Sequence, residues 1–232
     1  MLSDMALIEL QAATLFRHDA SGRMLCLNES SPGPAPRLFL GRTRTGNVWR
    51  FGHAVPAPLV SDLDRLLRTE AVATNLNRPP GVLPDLIDVL QAEAAVERIW
   101  MGPAWRFPDE LESREGVVAI HDSNTEVLHR HYSWVIAELE DVQPCTAVIA
   151  GGDAVSLCFC SRKSPEAAEA GVKTVEAFRG RGYATTVVAA WAGAVRESRR
   201  VPLYSTPWDN LASRSVASKL GLVLYGADLW IK

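Results

Sequence analysis

From Glu115 to the C-terminus the chain alternates two hydrophobic periods, and that alternation restricts it to few folds. "GVVAIHD" is a short apolar strand. "SNTEVLHRHYSWVIAELEDV" opens with Ser123 and Glu126 in capping-box register and reads as one helix, with Pro144 beyond it. "CTAVIA" and "AVSLCFCS" flank a Gly-Gly-Asp hairpin turn. "AGVKTV" is a strand, "ATTVVAAWAGAVRESRR" a helix, "VPLYSTP" a strand, "DNLASRSVASKLG" a helix closed by Gly221, and "LVLYGADLWI" the last strand. This order implies an α/β (α+β) fold with a mixed central sheet flanked by helices.

The residues before it carry no recognisable site. "ALIELQAATLFRH" has helical spacing, and "PRLFLGRT" and "VWRFGH" bracket a hairpin turn at "RTGN". "SDLDRLLRTEAVA" is a helix capped by Ser61 with Asp64 three residues on, and "NRPPG" breaks it. "LPDLIDVLQAEAAVERIW" is a further amphipathic helix, ended by "MGP". These elements define an α+β region over residues 1–108 and a second domain over 109–232. The two helices and the hairpin must bury their apolar faces, and no Gly/Ser-rich spacer separates the halves. The first region is therefore expected to pack on the second rather than swing on a linker.

A net charge of −3 with 22% charged residues gives no overall attraction to nucleic acid or to an anionic membrane, so neither is expected as a partner. The start, "MLSDMALIELQ", lacks a basic segment and carries Asp4 and Glu9 in its apolar run, so it does not read as a secretory signal, and the cytoplasm is the default compartment. Cys26, Cys145, Cys158 and Cys160 show no CxxC spacing. Cys158 and Cys160 share a strand face among apolar neighbours, as buried free thiols do. His129 and His131 lie two apart on a helix and face apart, so no metal is expected. Trp100, Trp105, Tyr132 and Trp134 read as packing residues.

One stretch carries chemistry. In "VKTVEAFRGRGYATTVV", Arg179 and Arg181 alternate with Gly180 and Gly182 where a strand gives way to a helix. The glycines permit tight backbone geometry, and the first helical amides lack intrahelical partners. Those amides and the helix dipole form an anion seat, to which the arginines add cations and Thr185 and Thr186 add hydroxyls. No Gly-Lys-Ser/Thr follows, and the Gly-x-Gly-x-x-Gly spacing is absent.

Arg179-x-x-Gly182-x-Ala184 between a strand and a helix resembles the acyl-CoA pyrophosphate loop of the GNAT superfamily of N-acyltransferases. "DNLASRSVASKLGL" is similar to that superfamily's last helix, with Asn210, Ser213 and Lys219-Leu220-Gly221 in register. The resemblance covers about residues 115–232, and the pairing of the two halves loosely resembles the glycine N-acyltransferase-like branch. It implies that the backbone of Val172, Lys173 and Thr174 pairs with the pantetheine arm of an acyl-CoA co-substrate. Amides from Arg179 through Gly180, Arg181, Gly182, Tyr183 and Ala184 to Thr185 would hold the pyrophosphate, and Asn210 and Ser213 would contact the arm near the thioester.

The implied reaction is aminolysis of a thioester, most naturally of acetyl-CoA, by a small-molecule or peptide amine. A base must take the amine's proton and the thiolate must be stabilised. Glu169, just ahead of the pantetheine-pairing stretch, is the candidate base; the alternative is a solvated carboxylate in the "SPEAAEAG" turn. The superfamily often places a tyrosine acid in the last helix, and that position here is Ala217. Tyr204 or Ser213 would substitute. The first 108 residues would wall the acceptor side, and a homodimer is compatible with the pattern. A catalytically weak acyl-CoA sensor or partner-binding module on the same fold is the rival reading.

Overall fold

The computed structural model describes residues 2–111 and 115–232. The expected 109–232 domain includes residues 112–114, and the N-terminal stretch read for a signal includes Met1; both lie outside the described residues. α1 (Asp4–Leu15), capped by Ser3, leads into a small hairpin of β1 (Phe16–His18) and β2 (Met24–Leu27). Then come β3 (Leu38–Arg42), β4 (Asn47–Phe51), α2 (Ala57–Leu67), α3 (Leu83–Glu93), β5 (Ile99–Arg106) and β6 (Val117–Ala119). A 3₁₀ turn (Asp122–Leu128) precedes α4 (Ser133–Ala137), α5 (Leu139–Val142), β7 (Thr146–Ala150), β8 (Asp153–Lys163) and β9 (Ala167–Thr174). α6 (Tyr183–Glu197), β10 (Val201–Ser205), α7 (Leu211–Lys219) and β11 (Val223–Ile231) complete the chain.

Nine strands form one mixed sheet in the order β4-β3-β11-β5-β10-β9-β8-β7-β6. β9 and β10 are its parallel pair; the other neighbours run antiparallel. On one face α6 and α7 bury Trp191, Val187, Val195 and Val216 against Cys158, Ala168 and Tyr204. α2 and α3 cover the other end of that face, where Leu63, Leu67, Leu86 and Leu90 meet Leu38, Leu40 and Leu229. The opposite face is covered by α1, through Leu7 and Ile8, and by α4–α5, through Val135 and Leu139.

Several local expectations change. The hairpin expected at "RTGN" is β3–β4, and it joins the main sheet beside β11. "IWMGPAWR" is not the end of a helix: α3 stops at Glu93, and β5 runs through Gly102 and Pro103 between β10 and β11. Pro103 is tolerated because β5 pairs with β10 only from Ala104 to Arg106, so its missing N–H costs no ladder bond there. The sheet is therefore continuous across residue 108. α2 begins four residues before Ser61, whose hydroxyl donates to the Ala57 carbonyl inside the helix (3.1 Å). Asp64 instead accepts from Trp49 Nε1 (3.0 Å) and Arg68 Nε (2.7 Å).

The single helix expected after Asp122 is broken. Asn124 has φ −139° and ψ 26°, its Oδ1 accepts from the His121 amide, and its Nδ2 donates to the Ala119 carbonyl. Such side-chain bonds compete with the helical ladder. The reciprocal cap therefore forms between His121 and Asn124, not between Ser123 and Glu126.

Candidate active site

β9 and β10 stay paired only from Val201↔Ala167 to Leu203↔Glu169. Beyond that point they splay, leaving the β10-side edge of β9 from Ala170 to Thr174 without a strand partner while β8 pairs its other edge. The splay opens into a cleft of about 940 Å³, whose walls include Val172, Lys173 and Thr174. A bare strand edge offers alternating donors and acceptors to an extended, amide-bearing ligand. Lys173 contributes less than a free edge residue: its carbonyl accepts from the Tyr132 hydroxyl (3.2 Å), and its ammonium lies 4.8 Å from the centre of the Trp134 ring.

The cleft continues to the start of α6. Gly182 caps the helix at φ +83°, and Gly180 stands at φ +78°. An added Cβ would meet nothing within 4 Å at either position, so it is the left-handed backbone that demands glycine. Tyr183, Ala184 and Thr185 are the first helical residues, and the earliest intrahelical bond runs from Thr186 to Gly182. Their amides are thus free for an anion at the positive end of a fifteen-residue helix.

The two arginines part company. Arg179 lines the cleft with Gly180, Gly182, Tyr183, Ala184 and Thr185. Arg181 is not among the lining residues: its guanidinium donates to the Ala177 carbonyl (3.2 Å) and stacks over Phe178, 5.0 Å from the ring centre.

α7 forms the opposite wall. Asn210 is its N-cap, with Oδ1 accepting from the Ser213 amide (3.1 Å), which leaves its NH₂ group and the second lone pair of Oδ1 to meet a ligand. The Tyr204 hydroxyl lies 2.6 Å from Ser213 Oγ, joining the two candidate donors into one pair. Ala217, one turn after Ser213 on the same helix face, is packed in the core. Tyr204 reaches from β10 toward that face, so a phenol does approach α7, supplied by a strand. Burial pushes the Tyr204 phenol up, and it stays protonated at neutral pH.

Glu169 is not a turn residue. It sits within β9, is 4% exposed, and accepts from the Ser205 hydroxyl at 2.7 Å through Oε1, while Oε2 has no partner among the described residues. Burial raises its carboxyl from 4.5 to about 7, opposed by the bonds from Ser205 and by the Arg162 charge. It does not itself line the cleft; Ala170, Tyr204, Ser205 and Thr206 do. On its side of the sheet lies a buried polar group in which Gln11 Nε2 donates to Asp228 Oδ2 (3.3 Å) and the Tyr225 hydroxyl donates to Gln11 Oε1 (2.8 Å). The Asp228 carboxyl is also pushed well up, by burial and by the Glu169 charge.

Ser205, Thr206, His131 and Lys219 also line the cleft, a place the sequence assigns to none of them. A polar "YST" at the end of an apolar strand was the available signal, since side chains just past the pairing limit of a parallel strand face open space.

Residues 145–226 match the family model described as GNAT acetyltransferase. Among solved structures, the chain is similar to a GCN5-related N-acetyltransferase-like protein from Streptococcus suis at 18% identity and TM-score 0.49, covering 84% of each chain. It is also similar to a GNAT-family protein from Novosphingobium aromaticivorans (18% identity, TM-score 0.47, 59% of this chain and 65% of that one). A third is a GNAT-family acetyltransferase from Colwellia psychrerythraea (12% identity, TM-score 0.45, 59% of this chain and 57% of that one). The chain thus spans about three fifths of the length of the last two. No curated protein matches it.

Proposed function

We propose that this chain, whose residues 145–226 match the family model described as GNAT acetyltransferase, transfers an acyl group, most naturally acetyl, from acyl-CoA to an amine by direct aminolysis. The observation that carries this reading is the continuity of one cleft. Free helical amides and an unpaired strand edge line it together with Ser205, behind which stands a buried carboxyl raised to about 7. The amides of Tyr183, Ala184 and Thr185 would hold the pyrophosphate, with Arg179 adding charge, and the β9 edge at Val172–Thr174 would align the pantetheine arm. Held reactants need little more than proton management. Glu169 would take the proton of the attacking amine, and the Tyr204–Ser213 pair would stabilise the leaving thiolate by hydrogen bonding. A phenol pushed above its usual value is a poor donor of a whole proton to a thiolate, whose thiol has an ordinary value of about 8.5.

Residues 1–108 would wall the acceptor side. A second hollow, of about 450 Å³, lies between the β1–β2 segment (Arg17, Asn28, Glu29) and α4–α5 (Trp134, Glu138, Asp141). Arg162 in its floor is the register partner of Glu169 and is ion-paired with Glu29. Glu138 and Asp141 have no cationic partner among the described residues, which favours an acceptor bearing an ammonium group. The likeness to the glycine N-acyltransferase-like branch rests on the sequence alone. Thiol release from acetyl-CoA in the presence of a panel of primary amines tests the reading. Release that depends on the amine supports it, and tight CoA binding without release supports the sensor reading instead.

A further inference from the structure

We propose that Ser205 carries the proton from the attacking amine to Glu169, so that the buried carboxylate acts through a hydroxyl of the chain. The inference rests on the acyltransferase reading above. Glu169 is enclosed within the sheet and does not line the cleft, whereas Ser205 both lines it and donates to Glu169 Oε1 at 2.7 Å. The position follows from the splay. Leu203↔Glu169 is the last β9–β10 pair, so Ser205 lies just beyond it, on the same face of β10 as Leu203. The other polar groups around Glu169 are engaged elsewhere, apart from Asp228 Oδ1, which has no partner among the described residues and does not line the cleft. Arg162 on β8 pairs with Glu29, Tyr204 on β10 with Ser213, and Tyr225 on β11 with Gln11 on α1, which in turn holds Asp228.

The step balances. As the amine nitrogen forms its bond to the thioester carbonyl carbon, its proton passes to Ser205 Oγ and the Ser205 proton passes to Glu169. The C–S bond breaks, and the thiolate leaves with its electron pair, hydrogen-bonded by the Tyr204–Ser213 pair. The Glu169 proton is later returned to solvent or to the thiolate.

Ser205→Ala tests this with the full chain, acetyl-CoA and whichever primary amine gives the highest turnover. Turnover is expected to fall ~10²-fold, the size of a lost proton-transfer step, with the KM for acetyl-CoA unchanged. Ser205→Thr restores most of it, and Ser205→Ala combined with Glu169→Gln loses no more than Glu169→Gln alone. Carbon-13 titration of the Glu169 carboxyl should move up in Ser205→Ala, because a donor to its ionised form is lost. If the parent transfers acyl groups while Ser205→Ala keeps the parental rate and the same acidic limb, the relay is overturned and the acyltransferase reading stands. If the parent transfers to no amine, the acyltransferase reading fails and takes the relay with it.

Discussion

A Cβ placed on Gly102 would run into the carbonyl oxygen of Thr206. β5 therefore packs backbone to backbone beneath the chain that leaves β10, and Thr206 is a wall residue of the cleft. Through this contact the first 108 residues help set the shape of a cleft whose lining side chains come from later in the chain. Gly102→Ala forces the two backbones apart. It should destabilise the fold by about 1–3 kcal/mol, as overpacking does, and weaken CoA binding. Thermal unfolding and calorimetric titration check both.

The start of α6 separates its residues by role. Gly182→Val places a β-branched residue at φ +83°, a conformation such side chains strongly disfavour. The fold should survive with a loss of about 1–3 kcal/mol, the cost of one strained backbone position, while CoA affinity falls at least ~10-fold, the loss of one good anion contact. Arg179→Ala should weaken CoA binding, and Arg181→Ala should leave it near the parental value because that guanidinium is engaged on Phe178 and Ala177. Calorimetric titration of the three variants ranks them, and equal losses for the two arginines would contradict the placement.

Much of this was legible in the chain, and the misses have physical causes. The order of strands and helices after Glu115 carries the period-2 and period-3.6 signals that build the mixed sheet. β5 was hidden because Gly102 and Pro103 are ordinary terminators. Here the glycine is needed for close approach to Thr206, and the proline lies where the β10 ladder has ended. Asn124 broke an otherwise continuous helical pattern through side-chain bonds that periodicity does not register. For Glu169 the residue type was informative but its environment was not: whether a carboxylate in "SPEAAEAG" is solvated or buried depends on α1 closing that face of the sheet. Ser205 had no signal beyond being polar at a strand end.

Glu169 should leave two signatures against pH. Its folded-state value, raised from 4.5 to about 7, means that the native chain keeps a proton the unfolded chain releases. Stability from this group is therefore full below about 4.5 and declines as pH rises toward 7, by on the order of 3 kcal/mol. Glu169→Gln should gain thermal stability relative to the parent across that window. In turnover the ionised form is the base, so kcat/KM should rise through about pH 7. A parent and variant whose melting temperatures track each other at every pH would contradict the burial argument.

Tyr204 and Ser213 should act as a unit. Because their oxygens are 2.6 Å apart, removing either hydroxyl disturbs the other. Tyr204→Phe and Ser213→Ala should each lower turnover, and the double variant should lose markedly less than the product of the two single losses. Acetyl-CoA affinity should fall far less than turnover in each of them. Independent, multiplicative losses would assign the hydroxyls to separate steps.

The halves should not come apart. α1 contacts the strands of both parts of the sheet, and Gln11 bonds Asp228 and Tyr225 on the last strand. Limited proteolysis should therefore yield no fragment near residues 109–232 that unfolds cooperatively on its own, and Gln11→Ala should lower the melting temperature of the whole chain in a single transition. An independently folded C-terminal fragment would make the first 108 residues a dispensable attachment.

The most direct measurement supplies acetyl-CoA labelled with carbon-13 in the acetyl group, together with a metabolite extract, to the parent chain and to Glu169→Gln. Mass spectrometry then follows the label. Labelled N-acetyl products should accumulate with the parent at neutral pH and form ~10²–10⁴-fold more slowly with the variant, the range expected for loss of a general base. CoA should bind both proteins equally. Tight CoA binding by the parent with no labelled amide in any product would contradict acyl transfer and identify the cleft as a CoA-binding site without chemistry.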